Sequence, residues 1–227
     1  MALGVSQPKD RDGFEIAIIC ALQSEADAVE ALFDEYWDED GDQYGKAPGD
    51  TNAYTTGAIG RHNVVLAHMP GMGKGSAASV ASSFRSSFGR IKLALAVGVC
   101  GGVPILANGE EILLGDVIIS TGIIQYEFGR QLPDRFVRKD ALQDNLGRPN
   151  TEIRTFLSKL SGLRGRKRLG SNTFSFLQEV CKRADFQNAR YPGEVNDKLY
   201  ERTYRHKHRD LSTCTICTKF EMKEDKV

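Results

Sequence analysis

Glu25 is the first residue of this chain whose type and place suit chemistry. It follows an apolar run, residues 14–21, and opens a segment with apolar residues at helical spacing. A carboxylate there can orient a water molecule or take its proton, and the positive end of a helix dipole favours its charge. An acidic residue in a first helical turn is equally typical of a solvated surface. A catalytic role and a purely structural role are therefore both consistent with Glu25.

A glycine-rich turn is the second candidate. It offers free N–H groups and a positive helix end to an anion or a hydroxyl, although a flexible start to a helix explains the same glycines. It does not match the nucleotide-binding phosphate loop, because His68 stands at the place of the first glycine and Gly75 at that of Ser or Thr. The predicted substrate-binding residues of this turn are Gly71, Met72, Gly73 and Lys74.

Four residues near the end of the sequence are of the types that bind zinc. Thiolates and imidazoles are the usual ligands of tetrahedral zinc, but the order here differs from that of common zinc fingers and the spacing between the pairs is tight. Either zinc holds a core-poor tail together, or the ligand types are incidental. No other cofactor is expected. The four residues are His206, His208, Cys214 and Cys217.

Residues 91–104 are the stretch around which these candidates are organised. Residues 93–99 are an apolar run of strand length, which predicts a central strand of a parallel sheet, buried on both faces. The glycines at 98, 101 and 102 let the backbone turn and approach a ligand at the strand's carboxyl end, where open α/β sheets bind ligands. A tight turn with no ligand is the alternative.

The rest of the chain supplies elements of an α/β fold. Apolar runs predict strands, helical spacing of apolar residues predicts helices, and glycines punctuate them. A basic cluster, residues 164–168, is expected to be a solvated loop. The predicted strands are 14–21, 53–56, 63–68 and 115–121, with 53–68 as a hairpin, and the predicted helices follow Ser24 and span 76–88, 151–160 and 173–184.

Composition sets the class of protein. With 227 residues, 41% hydrophobic and 26% charged, the chain can bury one sizeable core. Its net charge of +0 gives no reason to expect nucleic acid or a membrane as partner, and an odd count of five cysteines argues against a disulfide framework. A polar N-terminus and the lack of a long apolar run predict a cytoplasmic protein. We expect a flexible leader (1–13), an α/β core (14–130) and an insertion with a polar tail lacking its own core (131–227).

Four motifs in this order resemble one family. A strand followed by Glu25, the Gly-Met-Gly-Lys turn, Val-Gly-Val-Cys-Gly-Gly and Gly-Asp-Val-Ile-Ile-Ser are similar to the purine nucleoside phosphorylase and methylthioadenosine nucleosidase superfamily. The resemblance covers residues 14–130 and is strongest to the version fused to the front of fungal NTPase and repeat-containing proteins.

The resemblance implies a fold, a reaction and site residues. The fold is a nucleoside phosphorylase-like α/β/α sandwich with a mixed, mostly parallel central sheet. The reaction is cleavage of the N-glycosidic bond of a purine nucleoside, with phosphate as a second ligand if it is phosphorolytic. Glu25 then helps to activate the attacking water, and residues 71–74 lie near the ribose and the nucleophile. A homo-oligomer or a fused partner domain is also implied. The backbone along base and ribose is that of Val99, Cys100 and Gly101.

Departures from the family pattern bear on activity. Ala96 and Val99 stand where phosphorolytic relatives carry Arg and Ser or Thr, which favours hydrolysis or no catalysis. Lys223 stands where the family has a ribose-binding Glu, and the sequence ends at Val227, before the Asp that serves the family as general acid. We therefore expect a fold incomplete at its C-terminus and impaired cleavage, so that whether the chain is an enzyme stays open. The alternative is a non-catalytic module that senses a nucleoside or binds a protein, with a zinc-stapled tail.

Overall fold

The computed structural model of the chain describes residues 5–39, 41, 43–106, 108–141, 146–191 and 193. Short 3-10 helices lie at Arg11–Gly13 and Ala184–Ala189. The strands are β1 (Ile16–Cys20), β2 (Glu35–Tyr36), β3 (Ala53–Ile59), β4 (His62–His68), β5 (Leu93–Ala96), β6 (Gly129–Gln131) and β7 (Phe136–Arg138). The α-helices are α1 (Gln23–Glu30), α2 (Lys74–Ser87), α3 (Thr151–Ser161) and α4 (Leu163–Val180).

Contacts divide the chain into two units. One comprises Met1–Val103 with Thr151–Val180, and the other comprises Pro104–Asn150 with Cys181–Val227. The first unit holds the five-stranded sheet, and the second holds the antiparallel hairpin of β6 and β7. The domain boundaries expected from the sequence stay a prediction.

The sheet of the first unit is mixed, with the strand order β2-β3-β4-β1-β5. β1 runs parallel to both of its neighbours, β4 and β5, whereas β3 pairs antiparallel with β2 and β4. The predicted hairpin is confirmed: Gly60, with a φ of 61°, supplies the left-handed turn between β3 and β4. The α/β fold with a mixed sheet is confirmed as well.

Helices cover both faces of this sheet. Side chains along a strand alternate between faces, so Leu66 packs with Val29 of α1 on one side, and Val65 packs with Phe84 of α2 on the other. Phe14 and Phe88 meet edge to face, with ring centroids 5.7 Å apart, in the core beneath α2. Burial of each such aromatic side chain stabilises the fold by roughly 1.5–3 kcal/mol.

The prediction of a buried central strand over residues 93–99 is wrong. β5 covers only Leu93–Ala96 and lies at an edge of the sheet, where β1 is its only strand partner among the described residues. Leu95 is 40% exposed and Val97 39% exposed. An apolar run indicates that a segment can be buried, but the neighbours that bury it are set by contacts distant in sequence.

Two further predictions are corrected. Residues 115–121 are not a strand, and Val117 and Ile118 are exposed, because no described segment pairs with that apolar run and a strand needs such a partner for its backbone. The basic cluster 164–168 lies inside α4, which begins at Leu163 rather than at 173. Arg and Lys are good helix formers, and they outweigh the glycines there.

No helix of the described residues has both the length and the apolar character needed to cross a membrane.

Candidate functional site

The carboxyl ends of β4, β1 and β5 lie side by side, and we call this end of the sheet the carboxyl edge. Cys20 is in register with His68, and the N–H of Met69 donates to the carbonyl of Cys20 at 3.1 Å. On the other side, the N–H of Val97 donates to the carbonyl of Ile19 at 3.1 Å. Because the three strands are parallel, the segments that follow them all begin at this edge. The three predicted site segments therefore share one end of the sheet.

Glu25 is held by three backbone N–H groups. Its Oε1 accepts from Val99 at 2.8 Å, and its Oε2 accepts from Leu22 at 3.0 Å and from Ala21 at 3.1 Å. The bond from Val99 and then that from Leu22 lower the pKa of this carboxyl, against a smaller opposing effect of burial. Glu25 is therefore a fixed anion that ties the end of β1 to the segment after β5.

Gly98 is required by this contact. A Cβ at Gly98 would lie 2.6 Å from Oε1 of Glu25 and 2.9 Å from its carboxyl carbon. The sequence suggests that glycine here admits a close approach by a ligand. What approaches in the structure is the chain's own carboxylate.

The glycine turn leads directly into α2. Gly73 precedes the helix with a φ of 117°, a conformation that favours glycine, and as a glycine it has no side chain to cap the helix. The side chain of Met72 is exposed. A Cβ at Gly71 would meet open space, so packing does not explain that glycine. This turn presents a positive helix end at the carboxyl edge.

The segment after β5 takes part through its backbone. Val99 is 85% exposed and Cys100 is exposed, as is Gly101. The N–H of Val99 donates to Glu25, which is also a predicted site residue. Among the described hydrogen bonds, none joins Cys100 or Gly101 to a predicted site residue.

Three further polar residues lie at the same edge and are not among the predicted site residues. Oγ1 of Thr55 lies 2.9 Å from Oε1 of Glu30 and 2.9 Å from Nε2 of His68. His68 ends β4 next to the glycine turn, which is the signal that sequence inspection could have used. Glu30 and Thr55 carry no comparable signal, because their contacts join segments far apart in sequence.

Cys20 lies on the same face of the sheet as α1 and is buried. Burial, and then the charges of Glu25 and Glu30, raise the pKa of its thiol to about 11. The thiol is therefore neutral near pH 7 and is unsuited to nucleophilic attack.

No metal centre appears in the described part of the chain, where no three His, Cys, Asp or Glu side chains are grouped to hold an ion. The four predicted zinc ligands, His206, His208, Cys214 and Cys217, lie outside the described residues. Zinc binding by the tail stays a prediction.

Comparison with known proteins gives three matches. The model of the phosphorylase superfamily matches residues 15–157. A nucleotide-binding leucine-rich repeat (NLR)-like protein of Hyaloscypha variabilis is 31% identical over 194 residues, which is 83% of this chain but 18% of that protein. The structure of futalosine hydrolase of Helicobacter pylori is 22% identical, with a TM-score of 0.31 over 39% of this chain and 34% of the hydrolase. The chain thus spans less than a fifth of the length of the fungal relative.

Proposed function

Because this chain belongs to the phosphorylase superfamily, we propose that its carboxyl edge binds a purine nucleoside and cleaves the N-glycosidic bond by hydrolysis. The observation that supports this most directly is the anchored carboxylate of Glu25. It stands at the same end of the sheet as the glycine turn before α2 and the segment around Val99.

The fixed anion of Glu25 suits a reaction with an oxocarbenium-like transition state. A carboxylate has about four lone-pair sites, of which backbone N–H groups occupy three. The remaining site can accept a hydrogen bond from a water, whose oxygen forms the new bond to C1′ as the bond to the base breaks. The departing base takes up one proton and the attacking water gives up one, so the products are the free base and the ribose. Since its pKa is lowered, Glu25 orients this water and stabilises developing positive charge more than it removes a proton.

Hydrolysis is favoured over phosphorolysis by the residues near the end of β5. The side chains of Ala96 and Val99 offer neither positive charge nor a hydroxyl group to a phosphate. We therefore propose that phosphate is not a co-substrate. A homo-oligomer, or a larger protein in which this domain is fused to others, and a cytoplasmic location belong to the same proposal.

A non-catalytic nucleoside sensor is the second candidate. It is favoured by the weak basicity of Glu25 and by Lys223, which stands where the family has a ribose-binding Glu. We propose slow turnover if the chain is an enzyme and no turnover if it is a sensor. In the second case binding of a nucleoside changes the domain's contacts with a protein partner, with zinc stabilising the tail.

Measurement of base release separates the candidates. Purified chain is incubated with adenosine, inosine or methylthioadenosine, with and without phosphate, and free base is quantified by chromatography. We expect slow release that phosphate does not change and that falls by about 100-fold or more in Glu25→Gln, as loss of a group that acts on the attacking water predicts. Asp27→Asn, on the exposed face of α1, is the matched control and keeps wild-type rates. Nucleoside binding without base release supports the sensor, and the absence of binding contradicts both candidates.

A further inference from the structure

A hydrogen-bonded chain of three side chains lies at the carboxyl edge and has no part in the proposed reaction so far. Glu30 ends α1, Thr55 lies in β3 and His68 ends β4. The hydroxyl of Thr55 lies 2.9 Å from both a carboxylate oxygen of Glu30 and Nε2 of His68. The direct distance between Nε2 and that oxygen is 3.6 Å, so Thr55 connects the two charged or chargeable groups.

The chemistry of these groups sets the direction of each hydrogen bond. The carboxylate of Glu30 only accepts, so the hydroxyl of Thr55 donates its single proton to Glu30. The same hydroxyl must then accept from His68, which places a proton on Nε2. In the neutral imidazole the other nitrogen, Nδ1, is therefore left as an acceptor.

The position of His68 makes this acceptor available. No side chain or backbone group of the described residues donates to Nδ1, and the His68 side chain keeps 27% of its surface exposed. Met69 and the glycine turn follow it directly. Cys20 of β1 is in register with His68, and the hydroxyl of Thr55 links His68 to Glu30 of α1.

We propose that His68 is a ligand-contacting residue of the carboxyl edge, whose Nδ1 accepts a hydrogen bond from a ribose hydroxyl of the bound nucleoside. Thr55 and Glu30 are positioning residues, which hold the imidazole in the required tautomer and orientation. This inference rests on the proposed nucleoside binding. It adds a contact from β4, a strand to which the resemblance assigns no polar side chain.

The tautomer is tested without any ligand. In ¹⁵N-labelled protein, long-range proton–nitrogen spectra distinguish Nε2–H from Nδ1–H imidazoles, and loss of a signal in His68→Phe identifies His68 among the four histidines. We expect the Nε2–H form in the wild type and in Thr55→Ser, which keeps the hydroxyl. In Thr55→Val we expect a mixture of tautomers. An Nδ1–H imidazole in the wild type, or a Thr55→Val spectrum identical to that of the wild type, overturns the positioning role.

The ligand contact is tested by comparing a nucleoside with its 2′-, 3′- and 5′-deoxy forms by titration calorimetry. One deoxy form is expected to bind the wild type about 3- to 10-fold more weakly than the parent, as expected for one lost hydrogen bond. In His68→Phe, that deoxy form and the parent are expected to bind equally.

Loss of the proposed function and loss of the His68 contact alone give different results. If the wild type binds no nucleoside, the proposed function fails and this contact fails with it. If nucleosides bind but each deoxy form loses affinity equally in the wild type and in His68→Phe, the contact alone is overturned. If His68→Phe does not fold, the comparison is made with Thr55→Val against Thr55→Ser, where only the former is expected to lose the discrimination.

Discussion

Gly98 and Glu25 are in such close contact that no side chain fits between them. A Cβ at position 98 would stand 2.6 Å from Oε1 of Glu25, closer than carbon and oxygen approach without a bond. The contact joins the segment after β5 to the first turn of α1, and it leaves the N–H of Val99 free to donate to the same oxygen.

Gly98→Ala is therefore expected to displace Glu25 and to weaken the fold. We expect a loss of about 1–3 kcal/mol in the free energy of unfolding, because either the carboxylate or the backbone of the turn must move. Urea unfolding followed by circular dichroism measures this loss. Gly101→Ala is the control, since a Cβ at Gly101 meets open space. Equal stability of the two variants would contradict the role given to Gly98.

The contribution of Glu25 to stability is expected to depend on pH. Its carboxyl has a lowered pKa in the folded chain, so its stabilising effect is present above the unfolded-state pKa of about 4.3 and is lost as pH falls through the folded-state value. Glu25→Gln, which lacks the anion, should be less stable than the wild type at pH 7. The difference in free energy of unfolding between the two proteins should narrow below about pH 4. Denaturant midpoints measured from pH 7 to pH 3 test this, and a gap that widens in acid contradicts it.

Tyr54→Phe is expected to destabilise the first unit. The hydroxyl of Tyr54 donates to Asp50 at 2.7 Å and accepts from the side chain of Asn52 at 2.9 Å. Ser87 donates to the same oxygen of Asp50, which ties α2 to this network. Burial raises the pKa of Asp50, but the bonds from Ser87 and Tyr54 outweigh it and leave this pKa lowered.

Loss of the Tyr54 hydroxyl removes one hydrogen-bond partner from Asp50 and one from Asn52. We expect a cost of about 1–2 kcal/mol in thermal or urea unfolding. Tyr126→Phe is the control, because that side chain is 78% exposed. A Tyr54→Phe midpoint that equals that of the control argues against the network.

Zinc binding by the tail is expected from its residue types. Metal analysis of purified protein should find about one zinc per chain, because two thiolates and two imidazoles complete a tetrahedral site. Cys217→Ser should lower this content, whereas Cys181→Ser should not. Protein without zinc, together with a Cys217→Ser variant of unchanged stability, refutes the site.

The structure confirms the predicted helices and strands whose formation depends mainly on residues near one another in sequence. β1, the β3–β4 hairpin and α2 lie close to their predicted positions, because alternation, apolar runs and glycines act through neighbouring residues. α4 begins ten residues before its predicted start, since Gly165 and Gly170 interrupt the apolar pattern while Arg and Lys sustain the helix. Residues 93–99 and 115–121 have the composition of buried strands, but composition does not specify a partner strand.

The sequence by itself determined the α/β character of the core and marked Glu25 and the glycine turns as candidates, since residue type and short spacing carry that information. Only the tertiary structure decided that Glu25 accepts from Val99, 74 residues away, and that Thr55 joins Glu30 to His68. The physical reason is the register of the sheet. Parallel pairing of β4, β1 and β5 brings three strand ends together, and no local pattern in the chain encodes which ends these are.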